Sequence, residues 1–127
     1  MATTPINADQ LLANLKTVAT GIIQQDVTTI EGYSERQLAA MAQQAKWIAA
    51  ATLTGELSSD MRDYFLGTLK DSAVNFANTL KGLVLITIEK VWNALVGALW
   101  AAIGNAIGIA LPLPGGGTAG GTGTPAT

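Results

Sequence analysis

Two pairs of acids, Glu31 with Glu35 and Asp60 with Asp63, stand at helical spacing and are the residues best placed to do chemistry. General acid/base work or divalent-ion binding would need a cleft and further ligands around such a pair. The surrounding sequence offers none, and surface charge or the dipole of a helix start accounts for both pairs. The chain has no histidine and no cysteine. That removes most zinc sites, the commonest general base, thiolate nucleophiles and any disulfide framework. The glycine-rich part lies at the C-terminal end, with no strand before it and no lysine in it, so it is not a phosphate-binding loop. No catalytic residue, cofactor site or metal site is expected, and the chain does not read as an enzyme.

The composition points instead to surface burial. Charged residues are 13% of the chain and apolar residues 49%, with a net charge of −2. A typical domain carries roughly 25% charge. A chain of 127 residues with so few charges struggles to cover its apolar surface alone, so an oligomer, a membrane contact or both is expected. No basic cluster exists, so sequence-specific nucleic-acid binding is not expected. The N-terminus lacks the basic and apolar regions of a signal peptide, which implies synthesis in the cytoplasm without one.

One stretch dominates the rest. Residues 91–111 carry no charge and are closed by Pro112. As a helix they would span about 31 Å, close to the hydrocarbon thickness of a bilayer. Around that helix the residues sort into two unlike flanks. Asn93, Gly97, Ala101, Gly104, Asn105 and Gly108, with Ala94 and Ala98, share a sector of roughly 140°. Trp92, Leu95, Val96, Leu99, Trp100, Ile103 and Ile107 fill most of the other side. The small flank reads as a helix–helix or oligomer interface, because Gly-xxx-Gly spacing lets backbones approach closely. The bulky flank reads as lipid-facing. The two asparagines would fix register, line a narrow lumen, or be satisfied within ordinary packing. The whole stretch suits either a membrane span or a helix buried between protomers. Glu89 and Lys90 are the last charges; they mark the edge of the span or are simply solvated.

The elements that carry this stretch are legible upstream. Asn7 with Gln10 reads as a helix start, and apolar spacing from Leu11 to Ile30 predicts a first helix over 8–31, stopped by Gly32. Ser34 and Gln37 open a second helix, whose seam is Leu38, Met41, Ala45, Ile48 and Thr52, ending near Thr54. Residues 58–60 open a third, with Met61, Tyr64, Phe65, Leu69, Phe76, Leu80 and Leu83 apolar. It either runs unbroken to 111 or, as favoured here, breaks near Gly82. The expectation is an all-α chain: two amphipathic helices, a long helix with an apolar C-terminal part, then a flexible Gly/Thr tail. Its regions are 1–82 (amphipathic), 83–111 (self-associating or membrane-inserting) and 112–127 (tail).

The Ala/Gln/Thr-rich helical half (7–54), the apolar Gly/Ala-rich segment (83–111) and the Gly/Thr tail together resemble small internal virion proteins of tailed bacteriophages, the DNA-ejection proteins. No family motif is present, so no residue role is carried over. The resemblance implies a place in the virion, homo-oligomerisation, contact with other virion or assembly proteins, and pore formation in a host cell membrane. A soluble scaffold subunit of a large assembly, and a holin- or toxin-like membrane protein, are the other readings of the same sequence.

Overall fold

The computed structural model describes residues 6–108. Its helices are α1 (Ala8–Ile23), α2 (Glu35–Leu53), α3 (Ser59–Thr79) and α4 (Leu85–Ile107), with a short 3-10 turn at Val27–Thr29 between α1 and α2. There is no strand among the described residues. The tail 112–127, and residues 109–111 of the apolar stretch, lie outside them.

Three of the four helix starts are fixed by polar side chains. The Asn7 carboxamide oxygen accepts from the Gln10 amide at 3.0 Å, Ser34 from Gln37 at 3.2 Å, and Ser58 from Met61 at 3.2 Å. Each satisfies an amide that a helix start leaves without an internal partner. α4 differs: Val84 precedes it and supplies no side-chain cap.

The first helix is shorter than its apolar spacing predicts, ending at Ile23 rather than 31. Local side chains compete there with the helix for backbone amides. The Thr20 hydroxyl accepts from the Val27 amide at 3.0 Å, and Asp26 accepts from the Thr28 amide at 3.0 Å and from its hydroxyl at 2.8 Å. Those two Thr28 bonds hold the Asp26 carboxyl below its usual range. Gln24 takes up the reversal in the left-handed region, at φ +62°. Val27 and Ile30 still enter the core, from a turn rather than from a continued helix.

The third and fourth helices are separate, as favoured from the sequence. α3 ends at Thr79, residues 80–84 connect, and Gly82 sits at φ +82° in that connection. This joint seats against the α1–α2 connection. The Lys81 amide donates to the Glu31 carbonyl at 2.8 Å, and the Tyr33 ring meets Phe76 edge-on with centroids 5.9 Å apart. Short connections between neighbouring helices are those of an antiparallel bundle.

The bundle has a short diagonal. α4 packs against α1, α2 and α3, and α2 packs against both α1 and α3. α1 and α3 make no comparable contact with each other among the described residues. α2 permits this closeness because three of its core residues are alanines, Ala42, Ala45 and Ala49, beside Leu38, Met41 and Ile48. In α3 the buried residues are Leu66, Leu69, Ala73, Phe76 and Ala77. Met61 and Tyr64, expected on its apolar side, are exposed. One apolar cluster runs through all four helices, from Leu11 to Ala106, so the first three helices and α4 share a single core.

Candidate functional site

α4 is the one helix among the described residues long and apolar enough to cross a membrane, with a mean hydropathy of 1.3. Its two flanks take opposite places in the fold. The bulky flank points inward: Leu95, Val96, Leu99, Trp100 and Ile103 are buried, while Trp92 and Ile107 are half-buried against the core. In the folded bundle these side chains pack against the protein's own helices. Three amphipathic helices offer apolar stripes to them, and burial there removes the same surface from water that a bilayer would. Trp92 is also covered by Lys70, whose ammonium lies 5.6 Å from the ring centroid, a favourable cation–π distance.

The small flank does not form one straight strip. Successive i, i+4 positions advance about 40° around a helix, so the row Asn93, Gly97, Ala101, Asn105 winds across the bundle surface. Asn93 is exposed, and its amide donates to the Glu89 carbonyl of its own helix at 2.9 Å. A Cβ added at Gly97 would meet no atom within 4 Å. Ala101 and Asn105 line an open groove of about 740 Å³ between α4 and the start of α1, opposite Asn7, Gln10 and Asn14. Gly104 is buried, and Gly108 closes the helix at φ +83° with its amide on the Gly104 carbonyl at 2.8 Å. Asn93, Gly97, Ala101 and Asn105 thus reach the surface or the groove, while Gly104 does not.

The groove is chemically mild. Its lining carries amides, a threonine and small or aliphatic side chains, with no charged group among the described residues. It can exclude water from an apolar chain or a helix and hydrogen-bond its edges, and among the described residues it presents no carboxylate or amine side chain. The acid pairs stand elsewhere. Glu35 bonds the Lys16 ammonium at 3.0 Å and accepts from the Tyr33 hydroxyl. Tyr33 first and Lys16 second hold the Glu35 carboxyl below its usual range, while burial and then Glu35 push the Tyr33 phenol above its own. Glu31, Asp60 and Asp63 are exposed, and no group of three or more acids that could hold a metal ion occurs among the described residues.

The sequence reading missed two apolar surfaces. One joins α2 to α3: Trp47 meets Phe65 edge-on at 5.0 Å, Phe65 meets Tyr64 at 5.3 Å, and Met61 and Leu53 stand exposed with them. The other is the start of α4, where Val84, Leu85 and Ile86 are 65%, 68% and 61% exposed. The second lies at a helix end, where neighbouring helices no longer cover the periodic positions. Three bulky apolar residues in succession, at a start without a polar cap, were the available signal for the second.

Comparison of the chain with protein-family models, with curated proteins and with solved structures found no match.

Proposed function

We propose that this chain is a structural, oligomeric, membrane-active protein of a virion, in which the four-helix bundle is the carried form and α4 the membrane-inserting element. The observation that carries this reading is the double character of α4. It has the length and apolarity of a span, yet only 33% of its most apolar window is buried in the fold. The other three helices shelter its bulky flank and leave much of its small flank free to meet a second copy. Exposing five buried side chains, Leu95, Val96, Leu99, Trp100 and Ile103, costs roughly 1.5–3 kcal/mol each in water. A bilayer would offset most of that cost, which makes lipid the natural trigger for release. The place in a phage particle and a role in DNA ejection rest on the textural resemblance alone.

A soluble subunit of a large assembly is the second reading, favoured by the burial of that bulky flank within its own chain rather than between protomers. Quenching by brominated lipid separates the two. With Trp47→Phe, the remaining indoles, Trp92 and Trp100, both sit on α4. Membrane activity predicts that phosphatidylcholine vesicles carrying brominated chains quench them and that trapped dye escapes. Unquenched indoles and intact vesicles at every lipid ratio would leave the soluble-subunit reading.

A further inference from the structure

We propose that the start of α4, residues 84–86, is the lipid-docking tip of the folded bundle, entering the interface of an electrically neutral bilayer before α4 is released. The proposal rests on the membrane-active reading above and assigns its first step. Val84, Leu85 and Ile86 are consecutive and the most exposed aliphatic side chains of the described protein. They begin the one helix among the described residues compatible with a span, so a docked tip is already continuous with the element to be inserted.

Size decides against a protein partner. A stable protein interface buries about 800 Å² on each side, more than three aliphatic side chains supply. Lipid asks for no complementary surface, only for apolar area to leave water. Charge decides the kind of lipid. Lys81 precedes the tip, Lys90 follows it, and Glu89 and Glu31 stand beside them, the Glu31 carbonyl accepting from the Lys81 amide at 2.8 Å. Two cations against two anions give no net attraction to acidic headgroups. Depth agrees as well. Ile86 precedes Glu89 by three residues, about 4.5 Å of helix rise. On the helix side the apolar tip can therefore sink about 5 Å, the shallow end of interfacial burial, before Glu89 reaches the hydrocarbon, while Lys81 on the other side has an aliphatic stem long enough to keep its ammonium among the headgroups.

The chain has no cysteine, so Leu85→Cys and Tyr64→Cys each give a single labelling site for an environment-sensitive dye, one on the tip and one on the α2–α3 aromatic surface. On adding phosphatidylcholine vesicles, dye at 85 is expected to shift to the blue and dye at 64 to stay unchanged. Leu85→Asp is expected to weaken vesicle co-sedimentation about tenfold or more, equally with and without added salt, while circular dichroism shows the helices retained. A shift at 64 but not at 85 overturns the tip. So does binding confined to vesicles containing phosphatidylglycerol and abolished by salt, or a Leu85→Asp variant that binds within twofold of the parent. The two levels separate in the dye-release assay. Docking at 85 without release supports the tip and removes pore formation. Release by Leu85→Asp at the parent rate removes the tip and keeps pore formation.

Discussion

Gly32 and Thr79 meet backbone to backbone: a Cβ added to Gly32 would stand 1.8 Å from the Thr79 carbonyl oxygen. The Thr79 hydroxyl donates to the Phe76 carbonyl at 2.6 Å and lies 3.2 Å from the Gly32 carbonyl. Gly32 is also at φ +93°, a region that disfavours any side chain. This contact closes the end of the bundle where α1 hands over to α2 and α3 to α4.

Gly32→Ala is therefore expected to destabilise the protein by about 2 kcal/mol or more, since left-handed strain and a backbone clash add. Urea unfolding followed by circular dichroism measures it. A loss below about 0.5 kcal/mol would show that the two connections do not meet this closely.

The two flanks of α4 predict opposite responses. Leu99 is fully buried, so Leu99→Ala is expected to cost about 2–5 kcal/mol in the same assay. Gly97→Ala meets open space and gains helix propensity, so it is expected to raise monomer stability by about 0.5–1 kcal/mol. Because self-association is proposed to use the small flank, the same variant is expected to shift sedimentation profiles toward monomer. A Leu99→Ala variant as stable as the parent would remove the bulky flank from the core.

Acid is expected to weaken the fold through Glu35. Its carboxyl, bonded by Tyr33 and Lys16, is held below its ordinary value of 4.5. A lowered carboxyl contributes stability that is complete above that ordinary value and is lost as pH falls through the folded one. Melting temperature should thus drop from about pH 4.5 downward more steeply in the parent than in Glu35→Gln. Tyr33 acts in the other direction. Its raised phenol contributes stability that is present below its ordinary value of 10.0 and is lost only as pH climbs through the higher folded one. Parallel melting curves across the acid range would mean the Lys16–Glu35–Tyr33 contact contributes nothing.

Helix starts were legible because a cap is a local device. Asn7, Ser34 and Ser58 each bond an amide three residues ahead, and that spacing is written in the sequence. The end of α1 was not legible. Val27 and Ile30 keep helical spacing from Leu11 onward and are indeed buried, but they arrive there through a turn set by Thr20 and Asp26 hydroxyl and carboxylate bonds. Periodicity reports that a residue is buried, and two geometries can bury the same one. The direction of the α4 flanks was hidden for a related reason. Sequence separates a bulky side from a small one, but whether the bulky side meets lipid or three sister helices depends on distant stripes such as Leu38, Leu69 and Leu15. The aromatic surface at Trp47, Tyr64 and Phe65 escaped notice because its members come from two helices and share no single period.

The alanine row of α2 has a consequence for how the molecule comes apart. With α2 and α4 pressed together as a ridge-beam, α1 and α3 hang from it like two roof slopes that do not brace one another. Either slope can lift while the other stays fastened, so amide exchange should be slowest along the beam and faster, independently, on each side. An intruder such as lipid would then need to dislodge one slope, not the whole roof, to reach one side of the buried flank of α4.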